Sequence, residues 1–493
     1  MTLTKLKSKN NISILILIVL IYIVLTIVCL NNCYFWDNIQ QISKEAHWFY
    51  LTDFNSLLIP VNSGAEIVAT GYHPPLMGIM TATLWKVFGY HLWVSHVFAL
   101  MWAFILIFNV WKIIRLLFPD NFIGWIMPVI LLESTLLTQF AIGSPDFILF
   151  TAFVVSLRAI LERKPMLLTI GIFFLCCINM RGIFAGATLL IVLFYFNYLQ
   201  KKENQDHRSV LKIMIPFLPT LILLSAYFIY YFIGHGWFFS GSTSNGHYSI
   251  PTGVGQIIKH VAEFGLRSIE NGRIIIWFLG IYIAYLTYKS KTLLTQIEKV
   301  LLLFFLLLSG LYIIFILITQ MPFSARYFMP QFFILSIMTL LGVLKFFNKK
   351  SVKFIFILII CFELTGNLWI YPDRIAKSWD CTLAHLPYYE LRKDCFKFIE
   401  AEKIDYKDIS GGFCFYGNSR FIDLTQNDKT IGIDSNRKYY IYSNISNVED
   451  RFVKELQNKN AWLPIKTFEK GFVNITIYKK NSLNHNRNQF QNH

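Results

Sequence analysis

The most restrictive feature of this chain is a series of uninterrupted apolar runs, each roughly 17–25 residues long, the length needed to cross a hydrocarbon core. Val300–Thr319 shows the type, with no charge and no alternation of period two. Such runs cannot be accommodated on a soluble surface, where they would form large exposed patches. Composition agrees: hydrophobic residues are 55% of the 493, charged residues 15%, and phenylalanine alone occurs 46 times. The first run, Asn11–Leu30, is longer than a signal-peptide core and has no small-residue cleavage site after it, so it reads as a retained helix. Spans are expected near 11–30, 92–112, 121–141, 146–162, 166–180, 183–199, 211–233, 274–288, 299–319, 327–345 and 353–371. The fold class is thus an all-α polytopic membrane protein of about eleven transmembrane helices.

Basic residues orient these spans. If the apolar segment Pro74–Gly89 does not cross, alternate short loops collect Lys112/Arg115, Arg158/Arg163/Lys164, Lys201/Lys202/Arg208/Lys212, Lys289/Lys291/Lys299 and Lys345/Lys349/Lys350/Lys353. Lys5, Lys7 and Lys9 fall on the same side. The opposite loops hold only a scatter: Lys44, Lys86, Arg181, Lys259, Arg267, Arg273 and Arg326. This is the positive-inside asymmetry, and it places the N-terminus in the cytoplasm and the C-terminus outside. Pro74–Gly89 then becomes a helix lying in the interface, with Trp85 and Lys86 at headgroup depth. The net charge of +16 is a topology signal and not the footprint of a nucleic-acid partner.

The chain divides into a membrane region, 1–371, a small extracytoplasmic α/β domain, 372–480, and a polar tail, 481–493, expected to be disordered. In the domain, FCFYG, KYYIYSN and FVNITIYK alternate as strands do. Outside the membrane lie also the first loop, 31–91, with its interfacial helices, and a loop over 234–273 rich in Gly, Ser and His. Cysteine spacing gives no C-x-x-C pair, which argues against a zinc ribbon or redox motif, while Cys381 and Cys395 sit where export would permit a disulfide. No internal repeat supports an inverted-repeat transporter.

Few residues have the character of reaction chemistry. Asp37, in CYFWDN, follows the first span beside Tyr34, Phe35 and Trp36, where partial loss of hydration makes a carboxylate a stronger base; an ordinary loop acid after an aromatic belt is the alternative. Tandem prolines in GYHPPL hold His73 at the mouth of the Pro74–Gly89 helix, or simply break the chain there. Asp146, in SPDFILF, opens the fourth span and would also serve as a helix N-terminal acid. Arg181 and Arg326 stand at the outer ends of spans, on the side poor in basic residues. A guanidinium near the apolar zone calls for a partner beyond simple snorkelling, and an anionic phosphate is a natural one.

These segments, in this order, resemble the C-type (GT-C) glycosyltransferases, in particular the protein O-mannosyltransferase and lipid A aminoarabinose transferase branch. The resemblance covers roughly residues 11–371. It rests on an Asp after the first span, HPPLMGIMTATLWKVFG as the interfacial helix, Pro145-Asp146 before the fourth span, and Arg326-Tyr327-Phe328-Met329-Pro330 opening a late one. The branch often has Asp-Glu after the first span, whereas here Asp37 is followed by Asn38.

The resemblance implies a sugar donor on polyprenyl phosphate and transfer to an acceptor hydroxyl of a lipid, glycan or protein on the outer face of a bacterial inner membrane. Asp37 is then the general base of an inverting single displacement, and Asp146 orients the acceptor or helps hold a cation. His73, Arg181, Arg326 and Tyr327 are the substrate-binding candidates. A divalent metal is conceivable, with His73, His235 and His247 as available ligands, but their spacing specifies no site. The competing reading is a transporter or lipid-linked-sugar flippase without chemistry. It explains the spans and leaves unexplained why acids gather at outer span ends, only Glu133 and Glu363 lying well inside spans.

Overall fold

The computed structural model describes residues 2–60, 73–203, 209–236, 253–318, 324–371, 379–426, 429–433, 437–446 and 448–481. Helices in the first part of the chain are α1 (Thr2–Cys29), α2 (Glu45–Leu51), α3 (Leu76–Phe88), α4 (Leu92–Leu117), α5 (Ile123–Leu131), α6 (Ser134–Ala141), α7 (Pro145–Leu161), α8 (Pro165–Ile178) and α9 (Met180–Lys202). There follow α10 (Val210–Met214), α11 (Leu218–His235), α12 (Val254–Ile269), α13 (Ile274–Lys289), α14 (Gln296–Ile318), α15 (Met329–Phe346) and α16 (Lys349–Thr365). Every segment expected to span is helical. Among the described residues, seven helices are long and apolar enough to cross a membrane, or up to nine if each of two bent pairs counts as one span.

The first bent pair corrects the expectation of a single helix over 121–141. Between α5 and α6 the axis turns by 60°. Glu133 stands at the break, where its carboxylate accepts from Leu136 N at 2.8 Å and so caps α6 in place of a continued helical ladder. The second pair lies partly in a segment read as loop: α12 is a helix, and α13 leaves it at 94°. Apolar Val254, Ile257, Ile258, Val261 and Leu266 share α12 with Lys259, His260, Glu263 and Arg267, the two-faced composition suited to a bilayer surface.

In the first loop α3 is 13 residues long, about 20 Å, too short for a core of about 30 Å. It packs on α2, as an interfacial helix should. Trp85 is buried in the protein (1% exposed) against His47, Tyr50 and Tyr90. Lys86 is the residue that reaches the surface, pairing with Asp53 at 2.5 Å.

The remaining C-terminal part forms a small α/β unit with α17 (Pro387–Ala401), α18 (Ser419–Asp423) and α19 (Asp450–Leu456). Its strands are β1 (Ile409–Gly411), β2 (Gly417–Asn418), β3 (Thr430–Ile431), β4 (Tyr439–Ser443), β5 (Trp462–Lys470) and β6 (Val473–Lys480). The main sheet has the order β1-β4-β6-β5, with β1 parallel to β4 and the other pairs antiparallel. KYYIYSN and FVNITIYK supply β4 and β6, pairing Ile441 with Ile477. FCFYG is not a strand: Phe415 N and Tyr416 N both bond back to Gly412 O, closing a turn that buries Cys414 and Phe415. Cys381 and Cys395 are free and buried. The first lies against Ser324 and the carboxylate of Asp380, the second on the inner side of α17, so no disulfide joins them. Of the expected tail, 481–493, only Asn481 is described, its N–H bonded to Ala461 O at 2.9 Å, and 482–493 lie outside the described residues.

Candidate active site

Three helices begin at the level where α1 ends. Asp146 is in the first turn of α7, placed by Pro145 at the helix start and by Ser144, whose Oγ accepts from Asp146 N at 3.1 Å. Arg181 is in the first turn of α9, where the Asn179 side chain accepts from its N–H at 3.0 Å. Arg326 lies in a 3-10 turn, Ala325–Phe328, that leads into α15 ahead of Pro330. Asp37 arrives from the other direction, past the end of α1. At the opposite end of α1, Asn11 lines a cavity with Lys349, Lys350 and Lys353.

Arg326 is the hub. Its Nη2 bonds Asp37, its Nη1 lies 3.0 Å from Asp380, and its Nε is 3.2 Å from Asp146, off the hydrogen-bond direction. Arg181 holds the other oxygen of Asp146 at 2.6 Å and sits over the Tyr327 ring, its guanidinium carbon 3.7 Å from the ring centroid. Exposure separates the members. The Asp146 and Asp380 side chains are 7% and 1% exposed, against 33% for Asp37, and Arg181 at 24% is more open than Arg326 at 6%. Three carboxylates face two guanidiniums, an imbalance of one negative charge if all are ionised. Burial raises the Asp380 carboxyl above the usual carboxylate range despite Arg326, making it the group best suited to hold a proton.

His73 joins from the start of α3, its Nδ1 accepting from Met180 N at 3.4 Å. Burial, reinforced by the neighbouring Arg181, pushes its imidazole down to about 3, so it is present as the neutral ring. All six sequence-selected residues, Asp37, His73, Asp146, Arg181, Arg326 and Tyr327, thus meet. Of the other histidines, His235 packs against Tyr231 at the end of α11, and His247 lies outside the described residues. Among the described residues no three His, Cys, Asp or Glu side chains converge to hold a metal ion.

Sequence reasoning missed three contributors. Asp380 is in the segment following the last span, where no periodicity marks it; the Trp-Asp-Cys string is the only local signal. Asn38 is buried and donates to Ile142 O at 2.7 Å, tying the Asp37 loop to the turn before α7. An ionised Glu at 38 could not donate that bond, which gives the departure from Asp-Glu a structural reading. Arg273 bonds Glu133 at 2.9 Å and the Ala325 carbonyl at 2.7 Å, and so braces the turn that carries Arg326. From the cluster a narrow cavity of about 30 Å³ extends between α9 and α14, lined by Phe184, Leu308, Leu311 and Phe315.

No family model and no curated protein matches the chain. Among solved structures, ArnT from Cupriavidus metallidurans in the apo state aligns with a TM-score of 0.56 at 11% identity, covering 94% of this chain and 97% of that one. ArnT from the same organism bound to undecaprenyl phosphate gives a TM-score of 0.49 at 12% identity, covering 95% and 98%. The apo alignment establishes a shared fold that includes the C-terminal α/β unit as well as the membrane helices.

Proposed function

We propose that this protein is a GT-C glycosyltransferase that moves a sugar from a polyprenyl-phosphate donor to an acceptor hydroxyl at the outer surface of a bacterial inner membrane, with the N-terminus cytoplasmic. One observation carries the reading: an acid–arginine cluster, open to water at Asp37, that borders a small cavity whose far wall is the apolar side chains Phe184, Leu308, Leu311 and Phe315 of α9 and α14. A donor with a charged head and a hydrocarbon tail matches both halves. The ArnT fold and the four ordered motifs support it.

In this reading Asp37 accepts the hydroxyl proton, being the one aspartate of the cluster with substantial exposure. The acceptor oxygen attacks the anomeric carbon as the bond to phosphate breaks, which inverts the configuration, and the lipid phosphate departs with its electron pair. Arg181, the more open guanidinium, receives the developing phosphate charge. Arg326 contacts the phosphate from its buried position and fixes the direction of Asp37, while Arg181, stacked near the Tyr327 ring, fixes that of Asp146. Asp146 orients the acceptor. Neutral His73 offers a hydrogen bond to a sugar hydroxyl. The test is transfer in proteoliposomes containing purified protein, a polyprenyl-phosphate sugar of known anomeric configuration and envelope glycolipid or glycan acceptors. Product with inverted configuration is expected; retention would overturn the single displacement, and absence of transfer from every polyprenyl donor would overturn the reading.

A further inference from the structure

Away from the membrane charges, a second cavity of about 350 Å³ lies between α17 and the β2-α18-β3 segment. One stripe of α17 forms its wall, because residues 392, 396 and 400 recur at the helical spacing of four. Ion pairs close it at both ends. Arg392 bonds Asp423 in bidentate fashion at 2.5 and 2.8 Å, and Lys429 bonds Glu400 at 2.5 Å. Between them Phe396 and Tyr406 form an aromatic floor, their centroids 6.1 Å apart and planes inclined by 35°. Arg392 is buried, yet its Nε has no hydrogen-bond acceptor among the described residues. The eight-residue separation of the two ion pairs along α17 corresponds to about 12 Å.

We infer that this cleft is a saccharide-binding subsite, for two linked pyranose units of the acceptor. A sugar presents an apolar C–H face and a rim of hydroxyls. The first fits the Phe396–Tyr406 floor. The second fits groups that both donate and accept at the two ends, supplied by the Arg392–Asp423 and Glu400–Lys429 pairs. The volume falls in the range of small-molecule sites, about 300–1,000 Å³. Its placement suits an acceptor. Ile422, on the cleft wall, accepts a backbone hydrogen bond from Tyr34 N at 2.9 Å, three residues before Asp37. Ser43 Oγ and Tyr90 OH bond the carbonyls of Phe421 and Arg420 on the same helix. The wall of the cleft is thus fastened to the loop that carries the candidate base.

This inference rests on the glycosyltransferase reading for its role and not for its binding chemistry, so the two fail separately. The full-length protein in nanodiscs is applied to an array of defined bacterial-type oligosaccharides. Binding of at least one is expected. Tyr406→Ala should weaken it about tenfold by removing a stacking face, whereas Tyr406→Phe retains it. Lys429→Ala gives an independent second perturbation at the cleft's end and should also weaken binding. In the transfer assay, Tyr406→Ala should raise the acceptor KM with donor KM and kcat unchanged. An array with no bound saccharide overturns the inference, as does binding unmoved by both Tyr406→Ala and Lys429→Ala. A saccharide bound in the cleft by a protein that transfers no sugar supports the subsite and overturns the glycosyltransferase reading.

Discussion

Replacing Asp37 by Asn separates chemistry from architecture more cleanly than any other change at the site. The Asp37 side chain is 33% exposed, so water reaches one side of its pair with Arg326 and can solvate the polar group left by a substitution. The amide oxygen of Asn still accepts from the guanidinium. Arg326→Ala is a poor test by comparison. It leaves Asp146 and Asp380, 7% and 1% exposed, without their common cation, and breaking a buried pair costs about 3–5 kcal/mol. Asp37→Asn should therefore fold, insert and bind donor like the wild type while losing the proton acceptor. A general base contributes roughly 10²–10⁴-fold, or about 3–5.5 kcal/mol of barrier, and kcat should fall by that factor. The assay is turnover of a polyprenyl-phosphate sugar in proteoliposomes, with donor KM and thermal stability measured alongside. Asp37→Glu, displaced by about one methylene, should retain part of the rate. Asp53, bridged to Lys86 at the surface, is the control and should tolerate amidation. A near wild-type kcat for Asp37→Asn would refute the assignment and move the base to Asp146.

Arg326→Lys keeps the charge but offers a point donor where a planar fork reaches Asp37 and Asp380 at once; turnover should drop roughly tenfold or more, and unchanged turnover would show that charge alone suffices there. Burial holds His47, His73 and His385 down to about 4, 3 and 4 from 6.5, so the unfolded chain binds protons that the fold refuses. Stability from these groups is complete above pH 6.5 and declines as the pH falls towards 4 to 3. His73→Gln should flatten part of that decline in thermal melts, and a wild-type melting temperature constant from pH 7 to pH 4 would contradict the argument. For topology, Lys454→Cys in intact cells should react with a membrane-impermeant maleimide and Lys350→Cys should not, above the unsubstituted background; the reverse pattern would invert the bundle.

Membrane class and the helical segments are legible in the chain because each depends on local quantities, and the expected sidedness of the basic clusters is drawn from the same local quantities. A run of apolar residues has to bury its own backbone polar groups wherever it lies, and a lysine beside it is costly on one side irrespective of what packs nearby. Six residues of the candidate site were legible for a related reason. Charges and tandem prolines at span ends stand out against an apolar background. What remained unreadable depends on partners distant in sequence. Whether 121–141 is one helix or two turns on Glu133, which caps α6 locally and meets Arg273, 140 residues away. That Trp85 is buried in the protein depends on its neighbours His47 and Tyr90. Asp380 has no periodicity to announce it and acquires a role only because the chain returns from the last span to place it 3.0 Å from Arg326. Sequence decided where charges are expensive; tertiary structure decided which opposite charges meet, since a buried ion pair is fixed by the folding that brings its two halves together.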